Sequence, residues 1–106
     1  MACHDNRTLW DLIVFKAPMG TPRRTLVRMT MLAHSMVVLA QGVPFVGAGD
    51  EILRSKCLDR DSYNSGDWFN RVDWSGSTNH FGRMGLPPAE KNRDLWGMVR
   101  PTCQSY

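Results

Sequence analysis

The sequence predicts an α/β fold in which a long helix leads into a short, buried strand of a parallel sheet. Residues 21–42 carry helical signals from end to end, and residues 43–46 form a short apolar run between two glycines. From residue 47 onward the chain becomes rich in Gly, Asp, Asn, Ser and Trp. Loops of that kind are typical of the carboxyl ends of parallel strands. The length of 106 residues allows one small domain.

A short helix is predicted first, over residues 8–16. Its apolar side chains surround the polar Asp11, which favours a helix that packs on a larger body. The Ala-Pro-Met-Gly sequence of residues 17–20 ends it, because proline and glycine interrupt regular structure.

The second helix is the strongest local prediction. Thr21 has the side chain of an N-cap, Pro22 suits the first helical position, and Gly42 stands where a left-handed residue closes a helix. Between them an apolar stripe follows helical spacing, and we expect it to face the core. The stripe consists of Leu26, Met29, Leu32, Ala33, Met36, Val37 and Ala40.

Charge and hydropathy exclude several classes of protein. The net charge is +3 and the pI about 9.0, but the basic residues are scattered among ten acids, which argues against a nucleic-acid partner. The most apolar stretch, residues 29–46, is too interrupted to span a membrane. Residues 4–7 are polar where a signal peptide would turn apolar, so no targeting segment is expected. Three cysteines about fifty residues apart fit neither a disulfide framework nor a zinc cluster.

Two polar stretches, residues 4–8 and 47–74, would lie at the same end of a parallel sheet and face one ligand. Within the second, residues 59–71 mix carboxylates, amides and arginines with aromatic rings. Sugars are bound by that combination, since polar groups bond to hydroxyls and flat rings cover the apolar face of the pyranose. A polar loop held together by its own salt bridges has the same composition, so both interpretations stay open.

Particular motifs resemble a known family. His4-Asp5-Asn6 followed by Thr8-Leu9-Trp10-Asp11 resembles the fourth conserved region of the α-amylase superfamily. Residues 41–51 resemble the last barrel strand of that superfamily and its exit. Residues 52–56, 59–71 and 85–94 are similar to the pullulanase and limit-dextrinase subgroup in particular. The resemblance runs from residue 4 to about residue 101, and the run at 49–71 is its most specific part.

This resemblance implies part of a (β/α)8 catalytic barrel, a fold that needs roughly 250 residues when complete. Residues 1–20 would hold the end of a strand, an active-site loop and a short helix. Residues 21–46 would be a helix and the last strand, and residues 47–106 the substrate-side loops and the barrel tail. Such a piece is expected to be incomplete as an independent fold.

The resemblance also implies a reaction, the retaining hydrolysis of α-1,6-glucosidic bonds in pullulan, amylopectin or limit dextrins. Asp5 matches the aspartate that stabilises the transition state, and His4 matches a neighbouring histidine that binds sugar hydroxyls. The nucleophilic aspartate and the acid/base glutamate would come from earlier strands. The adjacent carboxylates of Asp50 and Glu51 are expected to be structural rather than catalytic. We therefore expect the chain alone to be inactive.

Six further residues are implied as substrate contacts with less support: Asn92, Asp94, Arg54, Asp61, Asn64 and Asp67. Asp94 matches a loop position that contacts a glucosyl unit near the cleaved bond. Arg54, Asp61, Asn64 and Asp67 would serve either as substrate ligands or as struts of the loop, and the role of a strut is favoured for most of them. Trp10, Trp68 and Trp74 are expected to pack against the protein, and neither His34 nor His80 receives a role.

Two other interpretations stay open: a noncatalytic α-glucan-binding module, and a truncated gene product without function. The expected partners are a branched α-glucan and the missing remainder of the barrel, with no nucleic acid and no membrane. No cofactor is expected, although calcium is left open by the parent family. The location would be the plastid for a plant or algal parent, and otherwise the cytoplasm or the exterior of the cell.

Overall fold

A computed structural model describes residues 6–83, 85, 87, 88 and 90–96. These residues form three α-helices, α1 (Leu9–Lys16), α2 (Arg23–Val38) and α3 (Asp67–Asn70). Three short 3-10 helices accompany them, at Asp50–Ile52, Ser62–Asn64 and Glu90–Leu95. Turns and extended segments make up the rest of the described chain.

Helix α1 confirms the short helix predicted at residues 8–16. Thr8 is its N-cap, with a hydroxyl oxygen that accepts a hydrogen bond from the Asp11 N–H at 3.2 Å. At the other end Ala17 turns to extended backbone, while its N–H still donates to Ile13 O at 2.9 Å. The following Pro18 cannot extend the helix, because it lacks the N–H that the next turn requires.

Helix α2 forms where it was predicted, but both of its predicted ends are wrong. The Thr21 hydroxyl donates to Pro18 O at 2.6 Å, and the N-cap is Pro22. The hydroxyl is thus committed to the preceding turn instead of to the helix. The helix ends at Val38, four residues before Gly42, although Gly42 has the expected positive φ of 115°.

The core lies between α1 and α2. Trp10, Val14 and Ala17 of the first segment pack with Leu26 of the second. Phe81 closes this cluster with its ring edge-on to Trp10, at 6.5 Å between ring centroids. Trp10 is therefore a packing residue, as predicted. The apolar stripe on α2 is only partly buried, and Met29, Leu32, Met36 and Ala40 are exposed.

The prediction of a buried strand at residues 43–46 is wrong for this chain. The segment has no regular secondary structure, and Val43 is 95% and Phe45 79% exposed. A strand forms only when a neighbour takes up its backbone N–H and C=O groups, and no strand lies among the described residues to do so. The described part is helical, and a partial barrel is not confirmed.

Cys57 forms a disulfide, although the spacing of the three cysteines fits no disulfide framework. Its side chain is fully buried next to Phe69. Sequence spacing does not limit which cysteines a fold brings together. The other two, Cys3 and Cys103, lie outside the described residues.

Candidate functional site

A pocket of about 350 Å³ lies between the two polar stretches that the sequence places on one face. Residues 6–8 form one wall, and residues 45–48 with Asp50 form a second. The third wall comes from the long polar loop at residues 47–74, through Arg54, Lys56, Ser62 and Asn70. The two polar stretches thus meet around one concave surface, which is where ligands bind in most proteins.

The long loop is anchored from below by the buried carboxylate of Asp11. Ser55 Oγ donates to Asp11 Oδ1 at 2.5 Å. The N–H groups of Lys56 and Leu58 donate to Oδ2 at 2.8 Å and 3.0 Å. The backbone of Leu58 is left-handed, with φ of 67°, a conformation that needs such external support. One carboxylate therefore fixes the turn that carries Lys56 to the pocket.

Burial raises the pKa of Asp11, because the charged form loses its hydration inside the protein. The hydrogen bonds from Ser55, Lys56, Leu58 and Thr8 act in the opposite direction and favour the carboxylate. The side chain has no exposed surface, so these donors replace the water that an exposed carboxylate would bind.

Asp59 and Asn92 form a second buried anchor, and neither is exposed. Asn92 Nδ2 donates to Asp59 Oδ1 at 2.9 Å, and Asn92 Oδ1 accepts from the Arg60 N–H at 3.1 Å. Asp59 also accepts from the Asp61 N–H at 2.8 Å and from Ser65 Oγ at 2.5 Å. Both ends of the Asn92 amide are thus occupied by the protein.

Two contacts join the first polar stretch to the rest of the site. The Asn6 N–H donates to Arg60 O at 3.0 Å. Arg7 Nη2 lies 3.3 Å from Asp94 Oδ2, and the guanidinium of Arg7 stacks on Phe15 at 4.4 Å. Asp94 is exposed, but this ion pair keeps its carboxylate close to the segment at residues 6–8.

The remaining pocket wall is held by a network around Asn70. Its Nδ2 donates to the carbonyl oxygens of Ser62 and Gly66, and its Oδ1 accepts from Ser62 Oγ. Lys56 Nζ donates to Ser62 Oγ at 2.8 Å. Arg54 bonds to the carbonyl oxygens of Ala48 and Asn70, so it bridges the two far walls as a strut would.

Of the six residues implied as further substrate contacts, Arg54 alone lines this pocket. Asp61 is paired with Lys91 at 3.2 Å. Asn64 is exposed in the 3-10 helix Ser62–Asn64, and Asp67 is exposed at the start of α3. Their roles as ligands stay predictions. His4 and Asp5, the principal predicted site residues, lie outside the described residues.

His34 acquires a role that the sequence did not suggest. Its Nε2 lies 4.0 Å from Asp50 Oδ2 and has no hydrogen-bond partner among the described residues, so the ring places α2 beside the turn at the pocket without bonding to it. Burial raises the pKa of Asp50, and the nearby His34 counteracts part of that rise. Asp50 is buried and Glu51 exposed, which fits the expected structural role of this pair. The sequence does not show which of these two adjacent carboxylates is buried.

Two tryptophans do not pack as predicted. Trp68 is 53% and Trp74 67% exposed. The guanidinium of Arg71 stacks on the ring of Trp68 at 4.1 Å, and Arg71 Nη2 in turn lies 3.1 Å from His80 Nδ1.

In the part of the chain that the structure describes, no cluster of three or more His, Cys, Asp or Glu side chains is arranged to hold a metal ion. None of the helices in that part has the length and apolar content needed to cross a membrane.

Comparison with known proteins gives a consistent set of relatives. The chain is 55% identical over 104 residues to pullulanase 1, chloroplastic, of Arabidopsis thaliana, which is 98% of this chain. It is 50% identical over 96 residues to a Klebsiella aerogenes pullulanase and 42% identical over 71 residues to that of Bacillus subtilis. The chain is homologous to one segment of the pullulanases. No family model matches it.

Solved pullulanases share the backbone course as well as the sequence. The apo enzyme of Klebsiella pneumoniae superposes with a TM-score of 0.67 and 53% identity over 70% of this chain. The Bacillus acidopullulyticus pullulanase gives 0.65 and 45% over 69%. Another of the similar structures is a Klebsiella pneumoniae pullulanase complexed with maltotriose. The matched segment is 11% of the Arabidopsis protein and 8% of the apo Klebsiella chain.

Proposed function

We propose that this chain forms one part of the glucan-binding side of a retaining α-1,6-glucosidase of the pullulanase kind. The observation that carries the proposal is 55% identity over nearly the whole chain to a plant pullulanase. The pocket between residues 6–8 and the long loop supports it, because residues with sugar-binding chemistry line that pocket. The substrates would be α-glucans that contain α-1,6-glucosidic bonds, such as pullulan, amylopectin or limit dextrins.

In this proposal Asp5 stabilises the transition state and His4 binds hydroxyls of the sugar at the cleaved bond. Retaining hydrolysis needs two further carboxyl groups about 5 Å apart, one as nucleophile and one as acid/base. Asp11 and Asp59 cannot serve, because both are buried and occupied by hydrogen bonds from the loop. The two catalytic carboxyls would lie in polypeptide other than these residues, and the chain alone would not cleave glucans.

The partial (β/α)8 barrel belongs to the same proposal. Exposed apolar side chains on α2 and on residues 43–46 support it. They are Leu32, Met36, Val43 and Phe45. Such a patch on a small domain marks a surface that another part of a protein covers. Beside neighbouring strands, residues 43–46 would gain the backbone partners that they lack here.

A noncatalytic α-glucan-binding module is the second candidate. The exposed rings of Tyr63, Trp68 and Trp74 favour it, because exposed aromatic side chains stack on pyranose rings. This candidate needs no catalytic carboxyls, and it predicts maltotriose binding by the isolated chain.

A segment exchange tests the first candidate against the second. This chain replaces the homologous segment of the Arabidopsis pullulanase, and the release of reducing ends from pullulan is measured. We expect activity in the chimera, none in the isolated chain, and a loss of about a hundredfold or more in the chimera with Asp5→Asn. Glu51→Gln, a change at an exposed carboxylate, serves as the matched control.

Two results would overturn the proposal. Hydrolysis of pullulan by the isolated chain would show that it carries its own nucleophile and acid. A folded but inactive chimera would show that the chain has lost its part in catalysis. Maltotriose binding by the isolated chain together with that second result would favour the noncatalytic module.

A further inference from the structure

The buried pair of Asp59 and Asn92 lies at the centre of a closed circuit of contacts between three distant segments. Asn92 bonds to Asp59 at 2.9 Å and to the Arg60 N–H at 3.1 Å. The carbonyl group of Arg60, on the other side of the same residue, accepts from the Asn6 N–H at 3.0 Å. The circuit returns through Arg7, which pairs with Asp94 at 3.3 Å, two residues after Asn92.

From this geometry we infer that Asn92 and Asp59 are positioning residues rather than sugar ligands. Neither side chain has exposed surface, and both ends of the Asn92 amide are used within the protein. The pair instead fixes the backbone at Asn6 and the carboxylate of Asp94. The expected effect on glucan hydrolysis rests on the proposed function, whereas the circuit of contacts does not depend on it.

The chemistry of the pair explains why it needs these two residue types. Asp59 accepts three hydrogen bonds, from Asp61 N–H, Ser65 Oγ and Asn92 Nδ2, so both of its oxygens are occupied. Asn92 must donate to Asp59 and accept from Arg60 at once, which an amide does and a carboxylate does not. Asn92→Asp would set two carboxylates face to face at a distance of 2.9 Å.

A double-mutant cycle distinguishes positioning from direct contact with sugar. Asn92→Asp should lower kcat of the chimera on pullulan about tenfold or more with a smaller change in KM, because a misplaced Asp94 and Asn6 backbone weaken the transition state first. Asp59→Ala breaks the same pair from the other side. We expect the variant with both substitutions to lose little more kcat than either single variant, because the two side chains act as one unit. Gln41→Glu, the same chemical change at an exposed site, is the control.

Amide hydrogen exchange tests the circuit without reference to activity. Exchange is followed by mass spectrometry in the 106-residue chain and in the chimera, on peptides that contain Asn6 and Arg60. Asn92→Asp should raise the exchange of both amides about tenfold or more, and adding Asp59→Ala should raise it little further. Unchanged exchange in the chimera, or losses of kcat that simply add in the double variant, would overturn the positioning role. An inactive unsubstituted chimera with normal exchange would instead refute the proposed function alone.

Discussion

Removal of the Asp11 carboxylate should cost this chain much of its stability. The perturbation is Asp11→Ala, at a side chain with no exposed surface that lies beneath the turn at residues 55–58. It leaves three donors without an acceptor: Ser55 Oγ and the N–H groups of Lys56 and Leu58. Sequence alone gives no warning of this, because an acid on a short helix ordinarily faces water.

The magnitude follows from the number of stranded donors. A buried donor without a partner costs about 1–3 kcal/mol, so three would cost about 3–9 kcal/mol. The loss of a buried charge offsets part of this, since burial raises the pKa of Asp11 and so disfavours the ionised form. We expect a net loss of about 3–5 kcal/mol, a large share of the 5–15 kcal/mol typical of a domain.

Urea denaturation followed by tryptophan fluorescence measures the effect. Asp11→Asn should lose less, about 1–3 kcal/mol, because it keeps the volume and one acceptor oxygen. Glu51→Ala, at an exposed acid, should change stability by no more than about 0.5 kcal/mol. An Asp11→Ala midpoint equal to that of Glu51→Ala would refute the view that this carboxylate holds the loop.

Two further predictions concern the turn at the pocket. Burial raises the pKa of Asp50 above its ordinary 3.8, so the ionised side chain opposes folding at neutral pH, and the opposition disappears as pH falls through the raised value. Asp50→Asn should therefore be more stable than the unsubstituted chain at about pH 7 in urea titrations, and the difference should vanish below about pH 3.8. A difference in stability that is the same at both pH values would contradict this. Gly49→Ala should cost about 1–3 kcal/mol more than Gly42→Ala by the same assay. Both glycines have positive φ, but of the two only Gly49 has a close neighbour, since a Cβ there would lie 2.9 Å from Val72 Cγ1. Equal losses of stability in the two variants would show that the neighbouring side chains move aside.

Local signals in the sequence predicted the helices well and their ends less well. The apolar pattern around Asp11 and the long stripe after residue 22 correspond to α1 and α2. Thr21 illustrates the limit of such prediction. Its hydroxyl can cap the helix or bond to the turn before it, and the choice of Pro18 O depends on the backbone of that turn.

The candidate site was predictable as a pair of segments but not as a set of contacts. The sequence placed residues 4–8 and 47–74 on one face, and the pocket between residues 6–8 and the long loop agrees with that. Only the structure shows which of the predicted substrate contacts are buried and which are exposed. Asn92 has no exposed surface while Asn64 is exposed, and nothing in their immediate neighbours in sequence distinguishes the two amides.

The sequence by itself determined which proteins the chain resembles, because identity over nearly the whole chain is recognised without a structure. It also determined the course of α1 and α2, since helical periodicity is a property of nearby residues. Tertiary structure decided the rest. Residues 43–46 have the composition of a strand, yet pairing needs a neighbour that no local pattern supplies. Asp11, Asp59 and Asn92 became anchors only because segments more than thirty residues apart bring their donors to them.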